Sequence, residues 1–96
     1  MKYAIILSLD AHEDLRKLKK HVRSLVKEAI ENHLRHEPMQ SKSRIKRLRG
    51  IERPQCRLRV GEVRVFYDVL EGVVEILAIV PKPGAVEWLQ NIGENE

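Results

Sequence analysis

Cysteine occurs once in this chain, at Cys56. A lone thiol excludes an intramolecular disulfide and any cysteine-based zinc site, and it fits a reducing, cytoplasmic setting. Aromatic residues are nearly as scarce, 4% of the chain against 43% hydrophobic residues in all. The interior must then be packed mainly by Leu, Val, Ile and Ala, and little remains for the base stacking on which generic RNA-binding modules rely. Long hydrophobic runs are missing too. The N-terminal stretch MKYAIILSLD meets charge after a short apolar run, too early for a signal peptide or a membrane span, so neither export nor a membrane partner is expected. The glycines form no Walker-type or dinucleotide motif, and no cofactor is called for. With 96 residues, one small two-layer domain spanning the whole chain, 1–96, is expected.

Charge is present in excess of one sign, and it is unevenly placed. Residues 1–40 hold 8 Lys/Arg against 6 Asp/Glu, residues 41–64 hold 9 against 2, and residues 65–96 hold 1 against 6. The net values of +2, +7 and −5 sum to the +4 of the chain, so one central block carries the asymmetry. A single-sign block of this density attracts phosphate polymers or acidic protein through counterion release and steering.

Residues 2–9, KYAIILSL, are apolar and free of Gly and Pro, which suits a first strand covered on both faces. Asp10-Ala11-His12-Glu13 has the form of a capping box and predicts a helix start at Asp10. Leu15, Leu18, Val22, Leu25, Val26, Ala29, Ile30 and Leu34 then recur at helical spacing as far as about His36. Periodicity leaves open whether Lys19-Lys20-His21 bends this segment into a helical hairpin. Glu37-Pro38 stops it. Residues 38–55 read as a connection that touches the core at Ile45, Leu48 and Ile51. Strands are expected at 56–60, 63–69 and 73–80, joined by short turns into an antiparallel meander, and AVEWLQ as a short terminal helix. The fold class is therefore α+β: an N-terminal strand, a helical segment or hairpin, and a three-stranded meander in one sheet, with helices on one face and the other partly open.

Arginines interrupt the meander in RLRVGEVRVFYDV, residues 57–69. Because successive side chains of a strand oppose each other, Val63, Val65, Tyr67 and Val69 share one face, and Arg64, Phe66 and Asp68 the other. Arg57 and Arg59 share a side of their own strand. One face is thus apolar, with Tyr67 assigned to the core. The other carries guanidinium groups, which stay charged and can bond two phosphate oxygens at once.

The succession of a strand, a helical segment, the basic RIKRLRG connection and then CRLRVGEVRVFYDVLEGVVEILAIV resembles the RelE/ParE superfamily of small toxins from type II toxin–antitoxin modules. The resemblance covers nearly the whole chain and implies a RelE-like fold. It also implies a cognate antitoxin as partner, wrapping the toxin with an acidic amphipathic segment. The RelE branch implies a metal-independent endoribonuclease that cuts messenger RNA on the ribosome, making ribosome and mRNA further partners. The ParE branch implies inhibition of DNA gyrase. By motif position Arg64 matches the arginine that contacts the scissile phosphate, Arg57 or Arg59 falls at a basic strand position, and Lys82 at a basic position of the C-terminal segment. Arg64, Arg59 and Lys82 are the expected catalytic residues. Arg57, Arg49, Arg47, Lys46 and Trp88 are the expected RNA contacts, Trp88 by stacking. The chain departs from the family where PKPGAVEWL replaces further arginines and a Tyr or His that moves protons. That departure favours the second reading, a non-enzymatic binder of gyrase, antitoxin or RNA.

RNA cleavage without metal needs the 2′-hydroxyl to attack the adjacent phosphate, a group to take its proton, a group to protonate the leaving oxygen, and cations on the phosphorane. Arginine serves the last task. For the proton transfers the candidates are Lys82 and, less favoured, Glu52 and Glu62. His33 and His36, three apart on the expected helix, are read as solvated rather than as metal ligands, because no acidic or thiol partner stands at a zinc spacing. Arg64 is expected to be exposed, so that removing its charge would leave the fold intact.

Overall fold

The computed structural model describes residues 2–94. Its elements are β1 (Ala4–Leu7), α1 (Leu9–Lys17), α2 (Lys20–Leu34), β2 (Ile45–Arg47), β3 (Cys56–Val60), β4 (Val63–Leu70), β5 (Val73–Pro81) and α3 (Lys82–Glu94). The sheet order is β1-β5-β4-β3-β2. β1 runs parallel to β5, and the remaining neighbours are antiparallel. The α+β class and the meander are as the sequence pattern predicts. The short edge strand β2 is not, because three residues of which two are charged carry no readable alternation.

Helix α1 starts earlier than the capping-box reading. Ser8 is its N-cap, with Oγ accepting from the amide of Ala11 at 3.0 Å, and Asp10 lies within the first turn, where its charge complements the helix dipole. The Ser8 hydroxyl also donates to the carbonyl of Leu77 at 3.0 Å. That carbonyl is available because β5 bulges: Phe66 pairs with Ala78 and Tyr67 with Ile76, which leaves Leu77 without a partner residue. One serine thus caps a helix and fastens it to the sheet. Asp14 adds a second fastening by accepting from the amide of Ile79 at 3.0 Å.

The helical segment is a hairpin. Leu18 and Lys19 both take extended backbone angles, with ψ of 150° and 148°, so the chain turns without needing Gly or Pro. β1 is an edge strand rather than one covered on both faces, and its Ile6 is 52% exposed. Helix α2 ends at Leu34, short of Glu37-Pro38, and His36 lies beyond it, so His33 and His36 do not share a helix.

Against one face of the sheet the hairpin packs Ala11, Val26, Ile30 and Leu34, which meet Leu58, Val65, Tyr67, Val74, Ile76 and Ile79. Tyr67 is fully buried, as its alternation predicts, and its hydroxyl donates to the carbonyl of Pro38 at 2.7 Å. Burial holds that hydroxyl protonated far above the usual phenol range. Cys56 is buried in the same core with its sulfur 3.5 Å from that of Met39, and burial raises its thiol pKa. On the opposite face, α3 covers only part of the sheet. It is longer than AVEWLQ, and Ala85, Trp88 and Leu89 pack on Phe66, Ala78, Val80 and Leu48. Pro83 falls in the first turn of α3, where a missing amide donor is tolerated.

Strand β4 is buried from Val63 through Asp68. Asp68, 3% exposed, accepts from Arg53 Nε at 2.6 Å and from the Gln55 amide at 2.8 Å. The Gln55 side chain in turn accepts from the amide of Val69 at 2.8 Å, and Arg53 reaches Glu75 at 3.0 Å. These bonds tie the end of the long connection to the middle of the sheet.

Replacing Asp68 by Ala strands the part-buried Gln55 amide and unseats Arg53, so Asp68→Ala is expected to lower stability by about 1–3 kcal/mol, read as a lower urea midpoint at unchanged slope. The Cys56 thiol is expected to resist a thiol reagent such as dithionitrobenzoate in the folded protein and to react fully in denaturant. Rapid modification without denaturant would contradict its place in the core.

Candidate nucleic-acid interface

The sheet face opposite the helical hairpin is divided in two. Directly paired residues on adjacent strands share a face, so the register assembles one row of Lys46, Arg57, Phe66 and Ala78 and a second of Arg59, Arg64 and Val80. At Phe66 of β4 and at Ala78 and Val80 of β5 these rows are apolar and pack with α3. At Arg64 of β4 and toward β3 and β2 they are cationic. Phe66 marks the boundary, its ring stacked on Trp88 with centroids 4.7 Å apart and an interplanar angle of 13°.

Two pairs of like charges therefore face each other across strands, Lys46 with Arg57 and Arg59 with Arg64. Such pairs destabilise a sheet. Arg64 is 9% exposed, and its Nη1 donates to the carbonyls of Gly61 at 2.9 Å and Val63 at 3.2 Å. This corrects the expectation of an exposed Arg64: it occupies a central strand and its guanidinium is spent partly on the β3–β4 turn, where Gly61 takes a φ of +57°. Arg57 is half-buried and its Nε is enclosed with no hydrogen-bond partner among the described residues. Burial first, then the charges of Arg64 and Arg59, hold its guanidinium below the ordinary arginine range. Each of these effects would be relieved by an anion. Arg59 is exposed at the end of the same face.

The remaining sequence-predicted residues divide between the two sides of this site. Lys46, Arg47, Arg49 and Arg57 line a cleft of about 820 Å³ with Ser41, Ser43 and Leu48. Arg47 pairs with Cys56 and so has the opposite side-chain parity to Lys46, yet at the sheet edge it still reaches the rim. Lys82 is exposed at the first position of α3, its amide donating to the carbonyl of Glu62 at 2.6 Å. That puts Lys82 and Glu62 together at the β3–β4 turn, the end of the sheet that also holds Arg64. Trp88 is placed elsewhere. One ring face is taken by Phe66, and the residue borders a separate cleft with Ser8, Asp10, Arg53, Leu77 and Ile92. Glu52 also points away, lining a cleft with Arg53, Gln55, Asp68 and Leu70. Ser41 and Ser43 at the cleft were not singled out from sequence, since isolated serines in a connection carry no pattern.

Among the described residues no three His, Cys, Asp or Glu side chains come together as a metal-binding group, and no helix is long and apolar enough to cross a membrane. The arrangement offers a row of guanidinium and ammonium groups on a partly enclosed surface, with a lysine and a glutamate at one end. That set can grip a phosphodiester and stabilise added negative charge on it.

Residues 5–82 match the family model described as ParE toxin of type II toxin–antitoxin system, parDE. No curated protein matches the chain. Among solved structures, the fold is similar to a chain of the toxin–antitoxin complex RelBE2 from Mycobacterium tuberculosis, with 25% identity, a TM-score of 0.73, and coverage of 84% of this chain and 99% of that one. A chain of the archaeal RelE–RelB complex from Pyrococcus horikoshii OT3 is 26% identical, with a TM-score of 0.69 and coverage of 85% and 97%. A mutant of E. coli toxin RelE in the free state shares the fold at 22% identity and a TM-score of 0.71, over 98% of each chain. With a family model matching most of its length and a split sheet whose open half is lined by arginine and lysine, the chain belongs to the RelE/ParE superfamily of toxins from type II toxin–antitoxin systems.

Proposed function

We infer that this toxin inhibits translation by cutting messenger RNA on the ribosome, as a metal-independent endoribonuclease held in check by a cognate antitoxin. The observation that carries the reading is the Nε of Arg57, enclosed with no hydrogen-bond partner among the described residues, within a row of like charges. Local stability disfavours that arrangement and an RNA phosphate would satisfy it. Arg57 and Arg59 grip the scissile phosphate and stabilise the phosphorane formed when the 2′-oxygen attacks. Arg64, anchored on Gly61 and Val63, supplies fixed positive charge behind them. Lys46, Arg47 and Arg49 hold the strand that enters the cleft. Proton transfer falls to the pair at the turn, with Glu62 taking the 2′-hydroxyl proton and Lys82 protonating the departing 5′-oxygen. The antitoxin partner fits the solved relatives, two of which are chains of antitoxin–toxin complexes.

A second reading, a ParE-like inhibitor of DNA gyrase that cuts nothing, is favoured by the family model that matches and by the absence of His or Tyr from PKPGAVEWL. The two separate in one pair of assays. Cleavage predicts that the purified chain arrests a cell-free translation reaction and leaves mapped cuts in the message, while gyrase supercoiling proceeds. Intact message with blocked supercoiling would sink the nuclease reading in favour of the other.

Variants sort the roles. Arg57→Gln with Arg59→Gln is expected to cut the cleavage rate by 100-fold or more, about 2.7 kcal/mol of lost transition-state stabilisation, with little change in melting temperature. Arg64→Gln is expected to lower both rate and melting temperature, because the carbonyls of Gly61 and Val63 lose their donor. An Arg64→Gln protein that melts like the parent would show that its bonds to the turn contribute nothing.

A further inference from the structure

A second cationic surface lies on the opposite side of the molecule, outside the site just described. Residues 15–27 contain six Lys/Arg and no Asp or Glu, and the helical hairpin gathers four of them. Arg16 on α1 and Lys20, Arg23 and Lys27 on α2 line a groove of about 450 Å³ with His12, Leu15 and Ser24. Lys20, Arg23 and Lys27 recur at three and four residues and so share one face of α2. Arg23 is held in place, its Nη1 donating to the carbonyl of Arg16 at 3.3 Å across the hairpin. Arg16 pairs with Glu13 at 3.0 Å, whereas Lys20, Arg23 and Lys27 have no carboxylate within ion-pair distance among the described residues.

The placement also works against the helix that carries it. The first turn of α2 has no acidic residue, Lys19 at its N-cap makes no side-chain capping bond, and Lys20 opens the helix. Cations at the positive end of a helix dipole are unfavourable, and an anion there is favourable. The groove contains no Phe, Tyr or Trp on which unpaired bases could stack, and Leu15 is its one large apolar residue. An amphipathic peptide needs the apolar surface that is missing, and a single strand would gain no base stacking beyond its phosphate contacts. A duplex backbone needs only phosphate contacts.

We propose that the groove between α1 and α2 binds the phosphate backbone of double-helical RNA through Arg16, Lys20, Arg23 and Lys27, on the face of the sheet opposite the Arg57 cluster. The protein then carries two RNA-binding faces of different preference, one for a strand to be gripped and one for a folded RNA that positions the molecule. This does not depend on cleavage and holds whether or not the Arg57 face is catalytic.

The test is fluorescence anisotropy of the full chain with a 20-base-pair RNA duplex and a 20-nucleotide single strand over a range of salt, with a polyglutamate peptide as competitor. Lys20→Gln/Arg23→Gln/Lys27→Gln is expected to weaken duplex binding by tenfold or more and to reduce the slope of log affinity against log salt by about 2–3, with single-strand binding within about twofold of the parent. Lys20→Arg/Lys27→Arg should restore duplex binding, and Arg57→Gln/Arg59→Gln should show the converse selectivity. Circular dichroism melting of each variant separates lost contacts from lost fold, and Lys27→Gln alone should give a smaller loss in the same direction. Parental duplex affinity and salt slope in the triple variant would overturn the proposal. So would a groove that polyglutamate occupies without displacing duplex, which would make it a surface for acidic protein.

Discussion

β4 is a central strand with packing on both faces, and it nevertheless carries two charges, Arg64 and Asp68. A charge in such a place must be met by fixed partners or it does not stay. Asp68 is met by Arg53 and the Gln55 amide, Arg64 by the carbonyls of Gly61 and Val63. These two sets of bonds anchor different neighbours. Asp68 fastens the incoming end of the basic connection beside β3, so that β2 and the cleft stand against the sheet instead of drifting from it. Arg64 braces the β3–β4 turn, against which the first residue of α3 is hydrogen-bonded through Glu62. Satisfying two buried charges thereby sets the two ends of the candidate interface.

The division of the second sheet face has the same origin. Phe66 lies between the two charges on β4, and its apolar area is worth covering, which Trp88 and Ala85 of α3 do. One strand further on, Arg57 and Arg59 present nothing that a helix would gain by covering. The helix therefore stops at the boundary, leaving the guanidinium groups open on one side and walled by stacked rings on the other. A low-dielectric wall beside a cationic row strengthens its pull on an anion, a more demanding arrangement than a solvated basic surface.

Much of this was legible in the sequence. Alternation in VRVFYDV placed Tyr67 in the core and Arg64 and Phe66 on the other face, and the spacing of Arg57 and Arg59 put both on one side of β3. The legibility came from the side-chain period of two, which depends on backbone geometry alone. The start of α1 departs from the capping-box expectation at Asp10 because Ser8 caps it, with a hydroxyl also bonded to the Leu77 carbonyl, far along the chain and exposed by a bulge. The exposure of Arg64 was misjudged for a like reason. Alternation gives a face, but how deeply that face is covered depends on neighbours that local pattern does not contain. Trp88 went to Phe66 rather than to the arginines because ring stacking is decided by which helix turn lands on which strand residue.

By itself, the sequence determined the α+β class, the order of the meander, the sign and location of the main charge block, and the membership of each strand face, all properties of local periodicity and composition. Only the tertiary structure decided that the helical segment folds back at Leu18-Lys19, that β2 closes the sheet edge, that α3 covers part of a face, and that Arg57 Nε is enclosed with no hydrogen-bond partner among the described residues. Those outcomes rest on contacts between residues distant in the chain, where the desolvation of a few polar groups outweighs local preference.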